Sequence, residues 1–196
     1  MECSTSNKLH HQVFNISVVQ ERRWTPPPQD AIWVDVDRSV KQQNSAACGG
    51  LVRNSEGDWL MGFKKCLGCS LIIEAELVAI RTGLEVGKQL GCTKIMVYSD
   101  SLEACNLFMH TCAADNPLKL VINDIRDLVV GDREVTLHHT TRTIMGCADF
   151  LAKTGHSDYT DTILIPEAPT ECLAILLEDK EATIAGRSTA ATTRVF

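Results

Sequence analysis

The sequence predicts an α/β domain built on a five-stranded mixed sheet flanked by helices, three antiparallel strands followed by two that run parallel to the first. Three observations predict it. Apolar and polar residues alternate along residues 32–37, the period of a strand with two unlike faces. Two further extended runs are joined by N-S-E-G-D, a Gly-containing loop of hairpin length. From Ser70 onward the period becomes helical, and short apolar strands then alternate with helices, the order that produces parallel pairing.

Taken in order, residues 1–23 show no sustained periodicity and are expected to form a flexible tether. Its stiff continuation is W-T-P-P-P-Q-D, because three consecutive prolines enter neither a helix nor a central strand. Trp24 is expected to anchor that segment against the domain. The first strand spans about 31–37, and residues 45–53 and 59–65 supply the hairpin. Ile73, Leu77, Ile80 and Leu84 share one helical face, with Ser70 as the expected cap and Gly91 closing the run. Residues 94–99 form a strand that stops at Asp100-Ser101. Ser101 is placed to cap a helix over about 102–110. Asn116-Pro117 starts another, in which Leu118, Val121, Ile122, Ile125 and Leu128 keep helical spacing to about Val130. Residues 135–138 make the fifth strand, and 146–154 a short helix carrying Asp149. The domain is thus expected over 24–155. Residues 156–196 read as a variable tail with one short helix at about 170–179, introduced by Thr170 and Glu171, and a disordered end.

Composition bounds the function. Of 196 residues, 44% are hydrophobic and 22% charged, which is globular composition. Nothing resembles a membrane span, and the opening residues lack a basic start followed by an apolar run. An intracellular protein is therefore expected, in nucleus or cytoplasm, and a monomer. Its nine cysteines then read as thiols, with Cys48, Cys105 and Cys147 in core-like surroundings. The pair Cys66 and Cys69 would be half of a zinc site, but no second pair stands at suitable spacing. A net charge of −6 argues against a bulk electrostatic grip on nucleic acid, so any such affinity should be modest and sensitive to salt.

Four carboxylates fall where the predicted elements begin or end: Asp37 and Asp100 at strand ends, Glu76 and Asp149 at helix starts. In sheets with parallel strands, sites form at the strands' C-terminal ends, and Asp37 and Asp100 end two of them. Four carboxylates balance two divalent cations, which at about 3.5–4 Å apart can activate a water and stabilise the leaving oxygen of a phosphodiester. Magnesium suits hard oxygen ligands and shares phosphate oxygens readily, with manganese as a substitute.

The segments W-T-P-P-P, V-D-V-D-R-S, C-G-G-L-V-R-N-S-E-G-D-W, E-A-E-L-V-A-I-R-T-G-L, V-Y-S-D-S and H-T-T-R-T-I-M-G-C-A-D-F-L-A-K occur in order over about residues 24–155. With them the chain resembles the plant ribonuclease H-like domains related to the ribonuclease H part of non-LTR retrotransposon reverse transcriptases. The resemblance implies a ribonuclease H-like fold. It also implies a two-metal endoribonuclease that hydrolyses the RNA strand of RNA–DNA hybrids. By it, Asp37, Glu76, Asp100 and Asp149 are the metal-binding quartet, using two Mg²⁺ ions or Mn²⁺. His139 stands in the loop where such enzymes place a proton-moving His. Arg38, Ser101 and Arg142 are the candidates for substrate contact. Asp35 and Glu74, each two residues from a ligand, fall outside the register; at 3.6 residues per turn Glu74 lies roughly 200° from Glu76.

Two places depart from the family pattern. Arg38 stands where Gly is usual, bringing a permanent charge beside Asp37 that either contacts phosphate or pairs with the carboxylates and competes with metal. Arg142-Thr143-Ile144-Met145 replaces Arg-Glu-x-Asn, and Met145 lacks the amide of that Asn. The alternative function is a catalytically degenerate ribonuclease H-like domain that binds nucleic acid without turnover.

Overall fold

The computed structural model describes residues 16–18, 24–109, 115–130, 133–156 and 161–192; His110, at the expected end of one helix, lies outside them. The strands are β1 Ile16–Val18, β2 Ala31–Val40, β3 Ser45–Arg53, β4 Trp59–Cys69, β5 Lys94–Ser99, β6 Glu134–His139 and β7 Ile163–Ile165. The helices are α1 Ile72–Gln89, α2 Leu102–Met109, α3 Lys119–Val129, α4 Gly146–Thr154 and α5 Thr170–Thr192. The sheet order is β1-β6-β5-β2-β3-β4-β7. β1, β6, β5 and β2 are parallel; β3, β4 and β7 continue antiparallel.

The mixed α/β architecture is the one the sequence predicts, but among the described residues the sheet has seven strands rather than five. The two additions are its edges. β1 comes from the stretch read as tether, and β7 from the stretch read as tail. A three-residue edge strand is too short to display alternation, and its pairing is specified by the edge it joins. α5 also runs to Thr192, well past the expected end near 179.

β2 separates two cores because its side chains alternate. Ile32, Val34 and Val36 face α1 and α3, where Leu77, Ile80, Leu84, Ile122 and Ile125 are buried with them. Gly83 permits the close approach of α1: a Cβ there would stand 2.7 Å from Val36 Cγ1 and 2.9 Å from Val34 Cγ1. On the other face Trp33 stacks on Tyr98 at 3.4 Å between centroids and meets Trp24 edge-on at 6.1 Å. Trp24, 3% exposed, is thus the anchor the sequence suggested. Leu151 of α4 and Cys172 and Leu176 of α5 complete this second core.

Under α5 lies a charged network that sequence reasoning missed. The Arg53 guanidinium, 1% exposed, donates to Asp35 Oδ2 at 2.9 Å and to Asp179 Oδ2 at 2.6 Å, and lies 5.1 Å over the Trp24 ring. Buried charges persist only when paired in this way. Asp179 therefore ties the tail helix to the sheet.

Local starts follow the expected chemistry with one exception. Ser101 Oγ accepts the Ala104 N–H at 3.2 Å, capping α2. Asn116 Oδ1 accepts the Leu118 N–H at 2.8 Å ahead of α3. Ser70 does not cap α1: the helix starts after Leu71, and the Ser70 hydroxyl donates to the Glu74 carboxylate at 2.9 Å. The residue that precedes the first helical turn is Leu71, so the Ser70 hydroxyl is one position out of register for a cap, and its hydrogen bond leaves Glu74 engaged away from Glu76.

Candidate metal centre

β2 lies between parallel β5 and antiparallel β3, the kind of switch point at which α/β sheets open a crevice. Its pairing with β5 ends at Asp35 opposite Tyr98, so Asp37 continues past the point where its neighbour strand stops. Asp100 directly follows β5 and comes alongside. Glu76 arrives from the first turns of α1. The result is a group in which carboxylate oxygens of Asp37, Glu76 and Asp100 all lie within 4.8 Å of one another.

Two of these acids are nearly out of water: Asp37 is 1% exposed and Glu76 2%. Asp37 Oδ1 accepts the Arg38 backbone N–H at 2.8 Å, but Asp37 Oδ2 and Glu76 Oε2 are buried without a hydrogen-bond partner. Burial, and next the charge of Asp100, push the Glu76 carboxyl up to about 8 and that of Asp37 up to about 6. Buried carboxylates with unpartnered oxygens, set close to one another, are costly unless a cation meets them. Their number, hardness and spacing fit a divalent cation held by oxygen ligands.

Arg38 follows Asp37 and, by strand alternation, points to the opposite face, the one α1 covers. There its Nε stands 3.0 Å from Glu76 Oε1. Of the two outcomes open in the sequence, pairing with the carboxylates is the one found.

Asp149 stands outside the three-acid group. It lies in the first turn of α4, with Arg142 Nη2 at 3.2 Å and Lys153 Nζ at 2.5 Å. Arg142 also reaches toward Asp100, its Nε 4.0 Å from Oδ2, and so bridges the two acids. α4 approaches so closely because Gly49, opposite Asp37 in the sheet, has no side chain; a Cβ there would meet the Ala152 nitrogen at 2.3 Å. His139 is the last residue of β6, paired with Ser99, rather than part of the loop after it. The Ser101 hydroxyl serves as the α2 cap. Met145, in the place of the expected Asn, is fully buried beside Ile144 and Leu151 and presents no polar group. Cys66 is buried and Cys69 exposed on β4, and among the described residues the grouped metal-ligand candidates are the three acids alone. Nor, among the described residues, is any helix long and apolar enough to cross a membrane.

Comparison with known proteins places the fold. The chain covers 65% of its length in superposing on 99% of the N-terminal RNase H domain of a Mycobacterium tuberculosis protein, at 20% identity and TM-score 0.59. For RNase H1 of the halophilic archaeon Halobacterium salinarum the shares are 66% and 99%, at 19% identity and TM-score 0.59. LC11-RNase H1, isolated from compost and determined with an RNA/DNA hybrid, gives 64% and 96%, at 18% identity and TM-score 0.57. The fold is that of ribonuclease H. The family model described as reverse transcriptase-like matches residues 34–155, and the chain belongs to that family. No curated protein matches it.

Proposed function

We propose that the chain is a metal-dependent endoribonuclease that hydrolyses the RNA strand of RNA–DNA hybrids, with its catalytic unit in residues 24–155. The observation that carries this reading is the convergence of Asp37, Glu76 and Asp100, two of them with a buried oxygen lacking any hydrogen-bond partner. Two divalent cations, Mg²⁺ or Mn²⁺, would supply an activated water and a charge sink for the leaving oxygen. Asp37, Glu76 and Asp100 hold the cations, and Asp149, at the adjoining helix start, completes the ligand set. Burial serves the same end, because it strengthens the carboxylates' hold on a cation by excluding competing water.

His139, at the C-terminal end of β6, moves protons at the edge of the site. Arg142 is largely exposed and offers its guanidinium to a phosphate of the substrate strand. Ser101 contacts substrate through what its capping role leaves free, and Arg38 lies at the same rim.

Cleavage of a labelled RNA–DNA hybrid in Mg²⁺ or Mn²⁺ is the test. Cut RNA from wild type and none from Asp100→Asn is expected; equal inertness of both refutes the catalytic reading. One observation favours the second reading, a domain that binds hybrids without turnover: the Arg38–Glu76 ion pair. That reading predicts binding at low salt with a shallow salt dependence and no cut product.

A further inference from the structure

The Arg38 guanidinium already does at Glu76 part of what a cation would do. Its Nε stands 3.0 Å from Oε1, and the Glu76 side chain is 3% exposed while that of Arg38 is 28% exposed. One oxygen of Glu76 is therefore neutralised from the α1 face of β2, and the other, Oε2, is buried without a hydrogen-bond partner in a side chain that meets Asp37 and Asp100. A guanidinium is a fixed positive charge with donors only and no acceptor. Arg142 repeats the arrangement at the other end of the site, reaching Asp149 at 3.2 Å and Asp100 at 4.0 Å.

We propose that Arg38 is a built-in competitor for the divalent cation: it compensates Glu76 in the metal-free chain and gives up that contact when a cation enters. The proposal rests on the metal-binding reading above. Two consequences follow from the geometry. A positive charge fixed on a ligand opposes an incoming cation, so the chain requires more metal than it would with an uncharged residue at this position. Removing the charge leaves Glu76 buried without its partner, so the metal-free chain becomes less stable while the metal-bound one gains. Because Arg38 keeps a quarter of its side chain in water, it has a path outward to the rim when Glu76 is taken. Metal and Arg38 thus exchange on one carboxylate.

The experiment uses the full chain stripped of metal with a chelator. Mn²⁺ alone is titrated by calorimetry into wild type, Arg38→Gly and Arg38→Gln, and the melting temperature is followed with and without Mn²⁺. Both variants are expected to bind Mn²⁺ about tenfold more tightly than wild type. They should also melt lower without metal and gain more on its addition. Arg38→Gln keeps the length of the side chain and supplies the comparison if the glycine variant does not fold. Equal affinity of folded wild type and variant for Mn²⁺ overturns the role of Arg38 and leaves the metal site standing. Absence of Mn²⁺ binding in all three, each folded by circular dichroism, overturns the metal reading and this inference together.

Discussion

Asp35 and Asp37 are two carboxylates on one face of one strand, each 1% exposed, and their surroundings are opposite. Asp35 has both oxygens occupied, Oδ1 by the Trp33 indole N–H at 2.6 Å and Oδ2 by Arg53 at 2.9 Å. Asp37 has one oxygen on its neighbour's backbone and the other unpartnered, among Glu76 and Asp100. The first acid is paired through Arg53 with Asp179, the contact that docks α5. The second belongs to a group in which buried carboxylate oxygens of Asp37 and Glu76 have no hydrogen-bond partner. Burial alone does not mark a functional acid; unanswered charge does.

That contrast can be broken most forcefully at Asp35. Replacing it in Asp35→Ala leaves Arg53 buried with Asp179 as its remaining partner, and unfolding in urea should show a loss of about 3–5 kcal/mol. The opposite sign is expected at the other acid. Asp37→Asn relieves repulsion within the acidic group, and the metal-free variant should be more stable than wild type by about 1 kcal/mol in the same measurement at pH 8.

The pH dependence sharpens the comparison further. Glu76 and Asp37 have folded-state values raised to about 8 and about 6, so the folded chain holds these protons more tightly than the unfolded one. Their contribution is fully present at low pH and is lost as pH rises through those values. The melting temperature of the metal-free chain should therefore fall from pH 5 to pH 9 by this contribution, and Glu76→Gln should flatten the slope. The smallest effect is expected at the surface: Lys180→Ala, which removes a half-exposed pair with Asp58, should cost about 0.5 kcal/mol or less.

The sequence made the central sheet legible because its long elements carry period. β3, β5 and α4 start and end where their patterns do, and the alternation along β2 assigns Ile32, Val34 and Val36 to one face and both aspartates to the other. The edge strands β1 and β7 were not legible, since three residues contain no period and take their conformation from a neighbour. Of the four expected ligands, the three acids that meet could be placed by where their elements begin or end. Asp149 was placed equally well on its helix, but no residue pattern announces that it stands outside the three-acid group, paired with Arg142 and Lys153. Arg53 was missed for a related reason. An arginine at the end of a strand reads as solvated, and what buries it is a helix 126 residues further along the chain. The one available signal was Asp35 itself, a carboxylate on a face otherwise lined by Trp33.

The most direct measurement is hybrid cleavage by Asp35→Asn and Asp37→Asn side by side, in Mg²⁺ and in Mn²⁺, at a temperature where both are folded by circular dichroism. The account predicts cut RNA from Asp35→Asn and none from Asp37→Asn. Cleavage by Asp37→Asn, with a folded but inert Asp35→Asn, would contradict it.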